Sequence, residues 1–575
     1  MRTPDKGASA PVLSLIFPLI AILAAQAADA PKDSGVSPSA VKSVTQVTRD
    51  GVSKTNLLAD DSSLYVTEWP AARHVVAKVT LPDANRSVFS NGFPNMQALD
   101  ISPDRSRLLI APMQTGGDSE FWTLPLSAGS PARLGDLSGR DASWSNDGKY
   151  LVFSKGSTVY LANADGSAAK EVFNADGSVF APRLSPDGKR IRFTVGNTAQ
   201  NVTSIWEVNR DGSNPHAVLG DWQGSSTACC GSWSADGRYY LFQVTQSNPT
   251  AVTTLWALLE AGPLGPPIQL TTGPMSFGNA SLAHDNSKIW AIGVKPAGEA
   301  VKYDAGAKAF VTLLNSVSAT DLDYSSDGAW VTYVALPDAT LWRSRTDGSE
   351  QLQLTHAPER AALPHWSKDG KRIAYVSMWP GKQSKISLIS PAGGAAEDMF
   401  KEEHAQIDAN WSADGNRIMF GYLHDAGLDI RIMDFKTHKV TPVPDSAGLF
   451  SPRWSPNERY IAALSPDFTK VMLFDFQTGM WMIWLNEPAG AVSYPAWSAD
   501  SQYLYFDDLV TDEESIRRVK LGESHAERVF KLEGIDRYPG PFGLWSGRTN
   551  DGSWIFVRDR STQEVYELAV DLPKN

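Results

Sequence analysis

The stretch "PHWSKDGKRIAYVS" at residues 364–377 sets the pattern for the whole chain. A Trp and a Ser precede an Asp-Gly pair, after which apolar residues alternate with polar or small ones. Asp-Gly favours the positive φ angles of a tight hairpin turn, and the alternation is typical of a β-strand with one buried face. The stretch therefore predicts a β-hairpin that turns at Asp369 and Gly370.

The same pattern returns at regular intervals. "ASWSNDGKYLVFSK" begins at residue 142, "ANWSADGNRIMFGY" at residue 409 and "PRWSPNERYIAALS" at residue 452. Successive turn residues are 40 to 51 residues apart, which is about the length of a four-stranded propeller blade. The turn residue occurs twelve times, at Asp61, Asp104, Asp147, Asp187, Asp236, Asp285, Asp327, Asp369, Asp414, Asn457, Asp500 and Asp551.

Several copies carry a second turn signal further along. Asp165-Gly166, Asp211-Gly212 and Asp347-Gly348 each lie between two further alternating segments. Two hairpins per copy give four antiparallel strands, and no long helical pattern lies between them. The sequence therefore predicts an all-β protein built from propeller blades.

Twelve blades are too many for one ring, so we predict two tandem six-bladed β-propellers over residues 40–308 and 309–575. The chain opens with a lone strand, "SVTQVT" at residues 43–48, and the similar "AFVTLL" occupies residues 309–314. Each opening strand is expected to join the three strands of the last blade in its ring. A division into seven and five blades and a crossed closure remain open alternatives.

The repeat "W-S-x-D-G-x-x-[I/L]-x-[F/Y]" resembles that of the TolB-like propeller family over essentially the whole chain after the N-terminal segment. More narrowly, "CCGSWSADGRYYLFQ" and "LFSPRWSPNERYIAALS" resemble the extracytoplasmic propeller region of bacterial winged-helix proteins with one membrane span. That resemblance implies sensing or docking outside the membrane. About ten residues precede the apolar N-terminal segment, too few for a winged helix, so the resemblance implies architecture and supplies no catalytic residue.

The N-terminal segment has the features of a secretory signal. Arg2 and Lys6 precede the apolar run "PVLSLIFPLIAIL", and Ala25-Gln26-Ala27 fits a small-x-small cleavage site. We therefore expect a signal peptide over residues 1–27, a linker over residues 28–39, and a periplasmic or otherwise extracytoplasmic protein. An uncleaved anchor is the alternative, and only in that case would the protein be bound to a membrane.

The charge balance argues against a nucleic-acid partner. The formal net charge is −12 at pH 7, and no stretch concentrates Lys and Arg. Binding a phosphate backbone requires a clustered positive surface that releases counterions. We expect no nucleic-acid interface.

No catalytic motif stands out. The chain has no G-x-S-x-G, H-E-x-x-H, P-loop or dinucleotide fingerprint, and its nine histidines show no i, i+4 pair. We predict no catalytic, cofactor-binding or metal-binding residues and no cofactor. Positions just before the large residue of each repeat are expected near the mouth of a propeller channel, so we take as candidate contacts Arg183, His365, Asn410 and Arg453.

The two cysteines, Cys229 and Cys230, are adjacent. In an oxidising compartment they could form a vicinal disulfide, although neighbouring α-carbons about 3.8 Å apart lie closer than the usual bridge range. Two unpaired thiols are the alternative.

Three functions remain compatible with these observations. A repeat-filled chain without a catalytic motif favours a non-catalytic extracytoplasmic scaffold that docks a protein or envelope component through a propeller face. The alternatives are a glycan- or peptide-degrading enzyme whose site is assembled across blades, and a detached sensor of a small ligand.

Overall fold

The computed structural model describes residues 40–573, except 61, 70–73, 90–94, 113–117, 128, 198–201, 221, 223–226, 247–251, 261–264, 305, 380–381, 401–403, 425–426, 488–491 and 510–513. The regular structure in this part of the chain is β-strand, apart from a single turn of 3-10 helix at Leu314–Ser316. The predicted all-β class is therefore confirmed. The predicted signal peptide, the linker and the first turn residue, Asp61, lie outside the described residues.

Among these residues, no helix has the length and apolar character needed to cross a bilayer. The strands fall into two compact units, which we call unit N and unit C. Unit N contains the described residues of 40–246, 252–295 and 562–573, and unit C contains those of Pro296–Ser561.

Unit N contains six four-stranded antiparallel sheets, the blades N1 to N6. From the innermost strand outwards, their strands are Ser53–Ala59, Ser63–Trp69, Val75–Thr80 and Asn85–Val88 in N1; Met96–Ile101, Arg107–Pro112, Ser119–Pro125 and Ala132–Gly139 in N2; Asp141–Trp144, Tyr150–Lys155, Thr158–Asn163 and Lys170–Asn174 in N3; Ser178–Leu184, Arg190–Asn197, Val202–Asn209 and His216–Ala217 in N4; Ala228–Trp233, Tyr239–Gln246, Val252–Leu259 and Ile268–Gln269 in N5; and Ser276–Leu282, Lys288–Lys295, Thr562–Val570 and Val41–Gln46 in N6.

Unit C also contains six four-stranded sheets, the blades C1 to C6, and one two-stranded hairpin, Pro539–Gly540 with Gly543–Leu544. The blade strands, again from the innermost outwards, are Ala319–Tyr324, Trp330–Ala335, Thr340–Arg345 and Leu352–Gln353 in C1; Arg360–Trp366, Ile373–Met378, Lys385–Ile389 and Glu397–Asp398 in C2; Ala405–Trp411, Arg417–His424, Gly427–Asp434 and Lys439–Pro442 in C3; Phe450–Trp454, Tyr460–Leu464, Lys470–Asp475 and Met480–Asn486 in C4; Val492–Trp497, Tyr503–Asp508, Ser515–Lys520 and Ala526–Lys531 in C5; and Ser546–Arg548, Trp554–Asp559, Gly298–Asp304 and Ala309–Thr312 in C6.

The blades of each unit follow one another around a circle. Within unit N, each innermost strand contacts the innermost strands of the two neighbouring blades, and N6 contacts N1. The same holds in unit C, where C6 contacts C1. This is the arrangement of a β-propeller, in which neighbouring sheets bury each other's apolar faces.

The structure corrects the predicted boundary between residues 308 and 309. Strand Gly298–Asp304, expected in the first propeller, pairs with Trp554–Asp559 in C6, and Thr562–Val570, expected in the second, pairs with Lys288–Lys295 in N6. The two rings are therefore closed by exchanged strands, the crossed alternative. Both exchanged strands contain buried and partly buried residues and follow a two-residue connector, so the pattern alone does not tell which ring each one joins.

The recurring Ser and Asp of the repeat hold the turn of the first hairpin. In N3, Ser145 donates its hydroxyl to Asp147 at 2.7 Å and accepts the N–H of Tyr150 at 3.0 Å. Gly148 follows with φ +69°, a conformation that glycine adopts without strain. The same Ser-to-Asp bond recurs at Ser185–Asp187, Ser234–Asp236, Ser325–Asp327, Ser367–Asp369, Ser412–Asp414 and Ser498–Asp500.

The recurring Trp joins neighbouring blades. In C3, the indole N–H of Trp411 donates to the carbonyl of His365 in C2 at 3.1 Å, and its ring stacks on Phe435. Trp497 of C5 makes the equivalent bond to the carbonyl of Arg453 at 3.0 Å. The large residue of the repeat is therefore structural, as its burial requires.

Candidate functional site

A cavity of about 1140 Å³ lies at the centre of unit N. The innermost strands of all six blades line it, and each contributes a polar side chain or a cysteine: Asn56, Asp100, Asp141, Arg183, Cys230 and Asn279, from N1 to N6. Ligand sites are concave regions where a few polar groups converge. This cavity is therefore our candidate functional site.

Irregular inner strands shape this cavity. In N4, N5 and N6 the pairing register shifts within the innermost strand, and Ala181, Cys230 and Asn279 have φ between 49° and 59°. Such bulges turn the backbone and are common next to functional sites. Each bulge residue stands six positions before the turn Asp of its blade.

The bulge lets each blade bind the one before it. The N–H of Ala181 donates to Asp141 at 2.9 Å, that of Cys230 to Thr194 at 3.0 Å, and that of Asn279 to the side chain of Gln243 at 2.9 Å. These bonds fix the inner wall of the cavity, so its shape depends on the joints between blades.

Two aspartates of the cavity have perturbed pKa values. Asp100 accepts the N–H groups of Ile101 and Trp144, and burial raises the pKa of Asp100 to about 6. Burial also raises the pKa of Asp141. The Arg183 guanidinium opposes this rise in the pKa of both carboxyl groups. Desolvation therefore outweighs the nearby positive charge.

Arg183, one of the predicted contacts, does line the cavity. Its guanidinium donates to the carbonyl of Pro182 at 3.0 Å, and within the described ranges it forms no ion pair. Nearby, Arg140 lies over the ring of Phe180, 5.3 Å from its centroid. Among the described residues, no carboxylate forms an ion pair with either of these two guanidinium groups of the cavity.

The two cysteines are paired with each other in the structure. A disulfide joins Cys229 to Cys230, and the amide of Gln243 donates to the Cys229 sulfur at 3.4 Å. Cys230 lines the cavity, which places the disulfide in its wall.

The other three predicted contacts lie in unit C and are engaged with the protein itself. The Asn410 side chain accepts the N–H of Trp454 at 2.8 Å, and Arg453 pairs with Asp408 at 2.9 Å. The His365 ring lies 3.8 Å from a carboxylate oxygen of Asp323. The structure thus places Arg183 at an open cavity and the other three in joints between blades, and their roles as ligand contacts stay predictions.

The corresponding region of unit C is covered by its own hairpin. Phe542, at the tip of this hairpin, lines a cavity of about 50 Å³ together with the bulge residues of C2 to C5, which are Leu363, Asp408, Ser451 and Tyr494. The Tyr494 hydroxyl donates to the carbonyl of Phe542 at 2.9 Å.

An arginine holds the base of this hairpin. The Arg537 guanidinium donates to Asp507 at 2.8 Å and to the carbonyl of Leu544 at 2.6 Å. The hairpin is thus tied down at its base by Arg537 and at its tip by Tyr494.

Within the described residues, no three or more His, Cys, Asp or Glu side chains are grouped so that they could hold a metal ion. The sequence pattern did not single out Asp100, Asp141 or the hairpin. Asp100 and Asp141 stand four and six positions before the turn residues Asp104 and Asp147, so a search at these two spacings in every repeat would have found them.

Known proteins that are similar to this chain match only part of it. No family model matches the chain. The chain is 28% identical over 111 residues to the uncharacterized peptidase YuxL of Bacillus subtilis, a match that covers 18% of this chain and 17% of YuxL. It is 29% identical over 131 residues to the uncharacterized protein Atu1656 of Agrobacterium fabrum, covering 21% of this chain and 44% of that protein. The chain therefore spans less than half the length of either relative.

Two solved structures are similar to parts of the chain. One is described as a TolB protein from Agrobacterium tumefaciens. Its sequence is 18% identical, the TM-score is 0.38, and the match covers 46% of this chain and 98% of that one. The other is the tricorn protease, with 13% identity, a TM-score of 0.32, and coverage of 83% of this chain and 49% of that one. With its repeats and two sets of four-stranded blades, the chain is a tandem β-propeller protein.

Proposed function

We propose that the protein is a non-catalytic binding protein that acts outside the cytoplasm and docks a protein or envelope component in the cavity of unit N. The observation that carries this proposal is the convergence of polar groups from six blades on one cavity of about 1140 Å³. Its carboxylates accept backbone N–H groups, as structural acceptors do. The cavity is large enough for a polymer segment, because sites for drug-sized ligands usually measure about 300–1,000 Å³.

The proposal can be tested by filling the cavity. Ser281 of N6 lines it, so Ser281→Trp places an indole inside. Glu171→Trp, on the exposed outer strand of N3, is a control with the same added group. In pull-downs from a periplasmic and membrane extract, we expect a component that wild type and Glu171→Trp retain and Ser281→Trp loses. Equal retention by both variants would show that this cavity is not the docking site.

A degradative enzyme is the second candidate, and one observation favours it. Asp100, with a pKa near 6, and Asp141 lie in the same cavity, and a carboxyl group with a raised pKa can serve as a general acid. Screening wild type and Asp100→Asn against polysaccharides and peptides separates the two functions. The binding proposal expects no turnover by either protein, whereas turnover that Asp100→Asn abolishes would establish the enzyme.

The proposed location rests on the N-terminal sequence and on the paired cysteines, since disulfides persist mainly in oxidising compartments. We expect the exported protein to begin near Ala28. Cell fractionation followed by N-terminal sequencing tests this, and an intact Met1 on a membrane-bound protein would instead identify the anchor.

A further inference from the structure

The fourth blades of the two units share an arginine. Arg183 lies in "PRLSP" of N4, and Arg453 lies in "PRWSP" of C4. Each is on the innermost strand, and each guanidinium donates to the carbonyl of the preceding proline, at 3.0 Å in N4 and 2.9 Å in C4. The two arginines therefore occupy equivalent positions.

The arginine of unit C is neutralised by the protein. Asp408 of C3 accepts a hydrogen bond from Arg453 at 2.9 Å, and its other oxygen accepts the hydroxyl of Ser451 at 2.9 Å. The side chains of Arg453 and Asp408 are only 13% and 10% exposed. No charge is left at this position to attract a ligand.

The equivalent carboxylate of unit N accepts hydrogen bonds from other groups. Asp141 of N3 accepts the N–H groups of Ala142 and Ala181, both at 2.9 Å, and the described residues give Arg183 no ion pair. Ala181 stands where unit C has Ser451. Arg183 therefore lines an open cavity with most of its five N–H donors still available.

The charges around Arg183 leave room for an anionic group. Asp100 and Asp141 interact electrostatically with Arg183, but both are held by backbone N–H groups. Arg105 and Arg140 add two further positive charges to the lining, which also includes Asp60 and Asp118. A planar guanidinium with free donors matches the two oxygens of a carboxylate best.

Unit C shows what can occupy this part of a propeller. The segment Tyr538–Trp545, "YPGPFGLW", lies against the bulge residues, and its backbone carbonyls accept hydrogen bonds from Tyr494 and Arg537. This is a tight hairpin held through its backbone carbonyls, with the side chain of Phe542 in the small cavity. In unit N, the wall at the bulge residues Ala181, Cys230 and Asn279, and at Asp141 in the equivalent position of N3, borders the open cavity.

Building on the proposed binding function, we infer that the unit N cavity takes a peptide segment of another protein, a carboxylate of which pairs with Arg183. The partner is thus an acidic peptide segment. The rest of the segment lies along the bulge residues, as the hairpin does in unit C.

Two peptide mixtures test this pairing. Ac-XXXEXXX-NH2 and Ac-XXXQXXX-NH2, in which X is random, differ only in a central carboxylate. Each is passed over the immobilised full chain, and retention is measured by mass spectrometry. We expect wild type to retain the Glu mixture about tenfold better than the Gln mixture, the size of one charge-assisted hydrogen-bonded pair.

Arg183→Gln should remove this preference, and Arg183→Lys should keep part of it. The matched control is Arg210→Gln in N4, because Arg210 stacks on Tyr150 and does not line the cavity. Melting curves check that each variant is folded. No preference in wild type, or the same preference in Arg183→Gln, overturns the inference.

Polygalacturonate distinguishes the source of the carboxylate. Retention of this acidic glycan through Arg183, without retention of the Glu peptides, would overturn the peptide assignment. The proposed binding function is tested separately. Its test uses Ser281→Trp and a cell extract, so the results with these probes do not decide it.

Discussion

Asp100 of N2 and Asn410 of C3 stand at the same position, four residues before the turn residue of their blades. Each side chain accepts the N–H of the Trp in the next blade, at 2.8 Å in both cases. The bond between the blades therefore needs only one oxygen acceptor, and the second oxygen of Asp100 accepts the N–H of its own neighbour Ile101. In Asp100 that acceptor carries a charge when it is ionised, and burial opposes the charge.

Asp100→Asn should therefore stabilise the protein at neutral pH. Because the folded protein raises the pKa of Asp100 to about 6, its folded state holds the proton more tightly than the unfolded state. This contribution to stability is lost as pH rises from about 4 to 6. We expect Asp100→Asn to gain about 1 kcal/mol at pH 7 and little at pH 4.5, measured by chemical denaturation.

Asp104→Asn is a control with the opposite sign. Hydrogen bonds from Ser102 and Ser106 lower the pKa of Asp104 to about 2. Its carboxylate therefore stabilises the folded state at pH 7, and the substitution should be destabilising there. If both variants shift stability in the same direction at pH 7, burial of Asp100 is not the cause of its raised pKa.

The paired cysteines give a second prediction for individual residues. Because Cys229 and Cys230 are joined, alkylation of the denatured protein without reductant should add no mass, and alkylation after reduction should add two groups. Intact-mass measurement checks this. Two adducts on the unreduced protein would show free thiols.

The blade is the scale at which the sequence was most informative. The Trp-Ser-x-Asp-Gly pattern predicted hairpins and four-stranded sheets because Ser and Asp bond to each other in the turn and Trp fills the space between blades. The bulges were not predicted. Their φ angles are positive at residues as different as Ala181, Asp408 and Tyr494, so no residue type marks them.

Trp411→Ala should cost about 3–5 kcal/mol of stability. Trp411 is 7% exposed, bonds to the preceding blade and stacks on Phe435, so its loss leaves a cavity between sheets. Chemical denaturation measures the change. Trp379→Ala, at a Trp of the same unit that is 41% exposed, is the control and should change stability by less than about 0.5 kcal/mol. Equal effects would mean that the blades are not held by the buried Trp.

At the scale of the whole molecule, the sequence predicted tandem propellers but not their closure. Gly298–Asp304 and Thr562–Val570 both contain buried and partly buried residues, and hydrogen-bond partners far apart in sequence decide which sheet each one completes. The site shows the same limit. Arg183 could be selected from its place in the repeat, whereas its unpaired state depends on how Asp141 is bonded in a different blade.

A chain that ends at Ser561 should lose the closure of unit N. Its N6 would keep Ser276–Leu282 and Lys288–Lys295 but lose the strand that joins them to Val41–Gln46. We expect hydrogen exchange to accelerate throughout the described strands of unit N. The Trp554–Asp559 strand of C6 remains in the chain, so the strands of unit C provide the internal control.

Full-length Glu567→Ala is the matched variant, because Glu567 is a partly exposed residue on the same strand. It should leave the exchange of unit N close to that of wild type. Normal protection of unit N in the chain ending at Ser561 would contradict closure by Thr562–Val570.

The exchanged strands also affect when the first ring can close during translation. Residues 41–295 are translated before residues 562–570. The first ring therefore cannot close while the second ring is being synthesised. The strand that closes the first ring, Thr562–Val570, follows every strand of the second ring in the sequence. A nascent chain of this protein would thus keep its first ring open until the second ring has been made.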